Sequence, residues 1–318
     1  MIRTLLLTAS AALCFSPCLS PVVCADEGAV KKAVLVTGSS SGIGLEITEK
    51  LAANGFYVYA GARKAADLER LDAMDNVSSV RLDVTVQEEI DAAVQFVNDQ
   101  GRGLYAVVNN AGVTAISQLT SGPESDMDFV FDVNVYGPYR INKAFLPLLD
   151  AGGHTTTIGS IAGFTGTSGI YSMSKFAVEA YTDSLARELE GKDVHVSVVE
   201  PGGFKSNIGL SRAARALAAA ERGDIELTQQ QRTRYENEEA RRATRKDPDE
   251  VADAILDLLT TDKPKRRYMV TPNERQAHGT VKAAMRRVVQ LNHDQPYTHD
   301  RDGLIAVLDE LLEEIEND

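Results

Sequence analysis

One junction near the start of this chain constrains its fold more than any other feature. Residues 33–37 are mostly small or β-branched and nearly all apolar, and they run straight into Thr37-Gly38-Ser39-Ser40-Ser41-Gly42-Ile43-Gly44 before a helical pattern begins. A strand that feeds a helix through so short a turn has few ways to be built. Gly38 lets the chain reverse sharply, Gly42 lets the backbone come close to a bound group, and Gly44 lets the helix pack tightly on the strand. Ser40 and Ile43 complete the stretch, and the unpaired N–H groups of the first helical turn face outward as an anion site. A glycine triplet alone is weak, but its place at the first strand-to-helix turn makes it informative.

The same alternation continues along the chain. Residues 56–62, 77–84, 104–109, 154–159, 194–200 and 268–271 read as six further strands. They are near-continuous apolar runs rather than strict alternations, as expected of strands covered on both faces. Helical patterns lie between them at 43–54, 86–99, 124–149 and 172–190. This predicts one α/β domain over 33–318: a doubly wound parallel sheet, or Rossmann fold, of seven strands with helices on both faces. Residues 208–246, rich in Ala, Arg, Glu and Gln, read as a helical lid after strand six, over the carboxyl edge of the sheet. A pair of solvated surface helices is the competing reading. Two more helices are expected over 273–318, and Lys263, Lys265, Arg266 and Arg267 read as a solvated loop before the last strand.

Composition narrows the partners. Among 318 residues, 33 Lys plus Arg face 46 Asp plus Glu, a net charge of −13, which repels a phosphate backbone and excludes nucleic acid as the partner. Five scattered histidines and three cysteines show no ligand spacing, so no metal site is expected. The cysteines, Cys14, Cys18 and Cys24, all lie in a segment with a basic start, a short apolar run, and small residues before Asp26. Residues 1–25 therefore read as a secretory signal, with an anchor, a transit peptide or a mis-assigned start as alternatives, and 26–32 as a short linker.

Several residues carry chemistry. The second strand ends Gly61-Ala62-Arg63-Lys64, where an acid would bind the 2′-hydroxyl of an adenosine ribose. The acid is missing and a guanidinium stands in its place, which favours a 2′-phosphate and so NADP(H) over NAD(H). Asp83, ending the third strand, can accept from the adenine amino group. Asn109-Asn110-Ala111-Gly112 closes the fourth strand with small residues and amides that admit backbone contact with the cofactor. Tyr171 and Lys175, four apart, share one helix face, so an ammonium can sit beside a phenol. Bringing a phenol from its usual pKa near 10 into the neutral range takes about 4 kcal/mol. Tyr139 and Lys143 repeat the spacing, but only Tyr171 follows a strand ending in Gly159-Ser160, whose hydroxyl can steady a substrate oxygen.

Taken in order, the 37–44 loop, 109–112, Asn134, Ser160, Tyr171, Lys175 and Pro201-Gly202 resemble the short-chain dehydrogenase/reductase family, over about residues 33–208. The resemblance implies a catalytic set of Asn134, Ser160, Tyr171 and Lys175. Tyr171 would be the acid/base, Ser160 would orient a carbonyl, Lys175 would bind the nicotinamide ribose and lower the phenol pKa, and Asn134 would hold a water. It also implies cofactor contacts from Pro201 and Gly202, with Ser206 on the carboxamide. Ser160 precedes Tyr171 by 11 positions, a shorter spacing than is common in the family, which leaves Thr165, Thr167 and Ser168 as nearby substitutes. The segments around Arg63 and 246–271 look like the retinol and 17β-hydroxysteroid dehydrogenase branch. The implied activity is NADP(H)-dependent interconversion of an alcohol and a ketone or aldehyde, with a lipophilic substrate suggested by that branch, in a homodimer or homotetramer paired through 124–149 and 172–190. A non-catalytic NADP-binding sensor or scaffold is the competing class.

Overall fold

The computed structural model describes residues 31–317. The signal-like segment 1–25, its three cysteines and most of the 26–32 linker lie outside the described residues. Seven strands form one sheet: β1 (Ala33–Thr37), β2 (Tyr57–Ala62), β3 (Val77–Arg81), β4 (Leu104–Asn109), β5 (Leu149–Ile158), β6 (Val194–Pro201) and β7 (Arg267–Val270). All pairings are parallel and the order is β3-β2-β1-β4-β5-β6-β7. The doubly wound α/β fold anticipated above is the one observed. Chain order reverses between β1 and β4, so that junction is the switch point, with Thr37 opposite Gly61 and Val36 opposite Val108 at the carboxyl rim.

The apolar runs are continuous because alternate residues of each strand feed two different cores. Val34 and Val36 pack with Ile47 and Leu51 of α1 (Gly42–Ala53) and with Val251 and Ile255 of the helix Asp249–Thr260. Ala33 and Leu35 face the other way, onto Ile90 and Val97 of the helix Gln87–Asp99 and onto Ile141 and Phe145. In chain order the helices after α1 are α2 (Ala65–Asp72), α3 (Gln87–Asp99), α4 (Glu124–Phe131), α5 (Gly137–Phe145), α6 (Ala162–Thr165) and α7 (Ile170–Glu188). Then come α8 (Ile208–Glu221), α9 (Gln229–Glu236), α10 (Glu238–Ala243), α11 (Asp249–Thr260), α12 (Glu274–Asn292) and α13 (Arg301–Asn317). No helix among the described residues is long and apolar enough to cross a membrane.

Two expectations change in detail. The stretch 124–149 is not one helix: a π-helical segment, Asp132–Tyr136, separates α4 from α5, and Leu149 already belongs to β5. Pro138 has no N–H to give to the carbonyl of Asn134 four residues back, so the ladder widens there. Residues 208–246 form α8, α9 and α10, and they are not a merely solvated pair. Ala213, Ala216 and Ala219 of α8 are buried, and Arg215 donates to the Thr114 carbonyl while lying over the Phe129 ring.

Candidate active site

The ends of β1 and β4 are joined across the switch point by one hydroxyl. Thr37 Oγ1 accepts from the backbone N–H groups of Asn110 and Ala111, each at 3.0 Å. The Asn110 amide donates back to the carbonyls of Thr37 at 2.9 Å and Gly38 at 3.2 Å. Gly38 has φ +71°, and a Cβ there would stand 3.0 Å from the Ala111 Cα. A Cβ on Gly44 would strike the Gly38 carbonyl and the Asn110 amide, and one on Gly42 would press on Ser206 at 3.2 Å. Six residues singled out in the sequence thus converge on the start of α1. Its N-cap, Ser41, makes no side-chain capping bond, and no acid lies in the first turn, so the leading N–H groups are left to an outside anion. Arg70 of α2 braces this loop through a 2.6 Å bond to the Ser40 carbonyl, a contact that no local spacing announces.

Arg63 and Asp83 meet at the outer end of the same rim. Arg63 Nη1 lies 3.3 Å from Asp83 Oδ2, and the Asp83 Oδ1 accepts from the Thr85 N–H at 3.0 Å and its hydroxyl at 2.8 Å. Those donors, with Arg63, hold the Asp83 carboxyl below its ordinary pKa even though burial works the other way. With the Arg63 side chain 62% exposed, this ion pair is worth at most about 1 kcal/mol, and a phosphate can displace it.

Tyr171, Ser160 and Lys175 come together where β5 meets α7. Ser160 Oγ accepts from the Ala162 N–H at 3.1 Å, donates to the Pro201 carbonyl at 3.4 Å, and lies close enough to the Tyr171 phenol to lower its pKa. The shortened loop closes this distance by folding as α6, stopped at Gly166 (φ +66°), with Gly169 (φ +54°) opening α7. Of the substitutes for Ser160, Thr165 and Thr167 face each other at 3.3 Å, and Ser168 is exposed with its N–H on Ser172. Tyr139 is 49% exposed on α5 and Lys143 is exposed, so the repeated spacing makes no comparable cluster.

Lys175 is buried, with Nζ 5.7 Å from the Tyr171 ring centre and donating to the Ile158 carbonyl at 2.6 Å. Loss of water pulls its pKa down to about 8, with Glu179 opposing. Burial raises the Tyr171 pKa and the Ser160 contact opposes it, while the lowering expected of the phenol belongs to Lys175 together with a bound nicotinamide. Asn134 lies in the π segment, and both its amide protons are taken, by the Val113 carbonyl at 2.9 Å and by Ser174 Oγ at 3.0 Å. Its Oδ1 accepts from the Val113 N–H at 2.8 Å. The Asn134 side chain therefore ties the 110–113 strand end, with Gly112 beside it, to α7. Pro201 and Gly202 sit on the far side, where the Pro201 carbonyl accepts from the Ile161 N–H at 3.2 Å.

Behind Lys175 is a charge cluster that the sequence reading missed. Glu179 is one turn along α7, Glu200 is the next-to-last residue of β6, and Arg267 opens β7 instead of lying in a solvated loop with Lys265 and Arg266. Arg267 reaches Glu179 at 3.2 Å, Asp183 at 2.8 Å and Glu200 at 3.7 Å. Burial raises both Glu179 and Glu200, the latter to about 8. Their Oε1 atoms find no donor among the described residues, although the two carboxyl groups are within hydrogen-bonding range of each other. One shared proton satisfies both. A linear sequence shows an acid at i+4 from Lys175 but not the basic residue 88 positions away that balances it.

The comparisons with known proteins agree with this geometry. The family model for short chain dehydrogenase matches residues 32–216. The chain is 33% identical to the mitochondrial D-beta-hydroxybutyrate dehydrogenase of Rattus norvegicus, over 76% of this chain and 77% of that protein. It is 38% identical to retinol dehydrogenase 7 of the same species, over 56% of this chain and 58% of that one. Its fold superimposes on a short chain dehydrogenase/reductase from Burkholderia phymatum solved in complex with NAD, with TM-score 0.69 and 24% identity over 85% and 97% of the two chains. With more than half its length matched by one family model, and with an ordered set of motifs brought to one rim of the sheet, the chain is an oxidoreductase of the short-chain dehydrogenase/reductase family.

Proposed function

We propose that this protein interconverts an alcohol and a ketone or aldehyde, with Tyr171 handling the proton and NADP(H) preferred as cofactor. The observation that carries the reading is the convergence of Ser160, Tyr171 and buried Lys175 on the rim that the three glycines open. The residues fit a dinucleotide. Side chains at Gly38, Gly42 and Gly44 would press on Ala111, Ser206 and the Gly38 carbonyl, so glycine keeps this loop close-packed, and the uncapped start of α1 offers donors to a pyrophosphate. When bound, the nicotinamide supplies or accepts the hydride.

The chain's own groups do the rest. Ser160 holds the substrate oxygen by a hydrogen bond, and Tyr171 passes its phenolic proton to that oxygen or takes it back. The Lys175 ammonium, kept in place by the Ile158 carbonyl, stabilises the phenolate left behind. Asn134 acts as a positioning residue through its hold on Val113 and Ser174. α8, tied to the 111–123 loop by Arg215, closes over the substrate. Tyr171→Phe is expected to lower turnover with NADPH and a carbonyl panel by at least a hundredfold while leaving NADPH binding intact. Near-normal turnover would refute the role of the phenol.

The preference for NADP(H) rests on Arg63 and on the missing acid after β2. Arg63→Asp is expected to weaken NADPH binding by a few kcal/mol, because a guanidinium attracting a phosphate becomes a carboxylate repelling it. Equal affinities for NADH and NADPH in the unaltered protein, measured by fluorescence titration, would remove the preference. A lipophilic substrate fits the likeness to retinol dehydrogenase 7, and pairing of copies across α4–α5 and α7 fits the exposed Tyr136 and Tyr139 on that side. Export completes the proposal. N-terminal sequencing of the native protein is expected to start at Asp26, and an intact Met1 start would contradict it.

A further inference from the structure

The last two helices carry apolar stripes that stay exposed among the described residues. α12 is docked on the domain through Gln276, whose Oε1 accepts from the Gly203 N–H at 2.8 Å, through buried Thr280, and through Arg287 lying 4.0 Å over the Phe176 ring. The opposite side of α12 carries Val281, Met285, Val288 and Val289, between 49% and 56% exposed. On α13, Leu308, Leu311, Leu312 and Ile315 recur at helical spacing and are 43% to 74% exposed. None of the side chains described in α13 is buried.

The turn between the helices is nevertheless well held. Asn292 donates to the His299 carbonyl at 2.8 Å and accepts from the His299 N–H at 2.9 Å, and Asp300 accepts from the Gly303 N–H at 2.8 Å. A 17-residue helix gains little stability from its own backbone in water, and a one-sided apolar stripe of this kind is stabilised by packing against a partner.

Charge identifies the partner. Arg275, Lys282 and Arg286 lie along one flank of the α12 stripe, and none of them is in an ion pair among the described residues. α13 is acidic, with Asp309, Glu314 and Glu316 flanking its own stripe. The two stripes thus match in chemistry and have borders of opposite sign, yet within one chain both stay exposed. We propose that α13 of one copy docks on the exposed stripe of α12 of a second copy, and reciprocally, so that two chains exchange their last helices about a two-fold axis. An anionic membrane is the poorer partner, since interfacial helices carry basic polar faces and α13 carries an acidic one. The stripe lies on the side of α12 turned away from its Arg287 contact with Phe176 of α7. It does not depend on the proposed chemistry, although α12 also braces the Gly202–Gly203 turn beside the site.

Light scattering on the eluting full chain tests this. The unaltered protein is expected to run as a dimer or larger even species, and Leu308→Asp/Leu312→Asp to halve its mass while still binding NADPH. Lys282→Glu/Arg286→Glu is expected to halve the mass as well, and adding Asp309→Lys/Glu316→Lys to that variant to restore it. That rescue separates lost docking from lost folding. A monomeric unaltered protein, an unchanged mass in the leucine variant, or failure of the charge exchange to rescue would each overturn the exchange. So would sedimentation of the unaltered chain, but not of the leucine variant, with phosphatidylserine-containing vesicles when their masses are equal. A chain that pairs as expected but binds no NADPH would leave the exchange standing and count against the proposed chemistry alone.

Discussion

Lys175 is a cation with almost no water around it, and most of the site's electrostatics follows from how that is tolerated. One proton goes to the Ile158 carbonyl, and Glu179 sits a turn away within a cluster whose net charge Arg267 limits. The Glu179–Glu200 pair keeps a proton that two separate carboxylates would release at neutral pH. For Glu200 the consequence for stability has a definite sign. Its pKa is about 8 in the folded chain against an ordinary 4.5, so the folded state holds a proton that the unfolded state gives up between those values. The stabilisation is complete below pH about 4.5 and is lost as pH rises toward 8. Glu200→Gln keeps the shape without the titration. Thermal unfolding across pH 5 to 8 is expected to show a falling stability in the unaltered protein that flattens in the variant. Parallel curves would mean that no proton is shared.

At the scale of elements, the glycine loop and the broken α4–α5 helix show two kinds of legibility. Gly38, Gly42 and Gly44 were readable because a strand, a tight turn and a helix in succession leave room for no other residue. The structure adds what each side chain would hit. Gly44→Ala is expected to cost about 1–3 kcal/mol and to weaken NADPH binding, since its Cβ would displace the Gly38 carbonyl and with it the bond from Asn110. Calorimetry and nucleotide titration check the two effects, and an unchanged melting point with unchanged affinity would show that the cradle is loose. The π segment at Asp132–Tyr136 was hidden in the sequence, because its apolar pattern reads as one helix. Pro138 was the available signal, since its missing N–H bears directly on the Asn134 carbonyl.

For the whole molecule, periodicity and motif order were enough to establish a seven-stranded doubly wound sheet and the rim at which Thr37, Asn110 and Gly38 meet. Such features are local: an apolar run needs only its own residues to be a strand, and a short turn only its own glycines. Tyr171 and Lys175 belong with them, since four residues on one helix fix their neighbourhood. The tertiary structure alone decided the rest. It brought Ser160 to the Tyr171 phenol through a folded 161–169 loop and spent the Asn134 amide on Val113 and Ser174. It also set Arg267 among Glu179, Asp183 and Glu200, and left the apolar stripes of the last two helices exposed among the described residues. The buried contacts among these depend on groups that the chain order does not bring together, meeting in a medium poor in water. Charge and hydrogen-bonding capacity there are settled by the neighbours that packing supplies, and those are not written in the order of the residues.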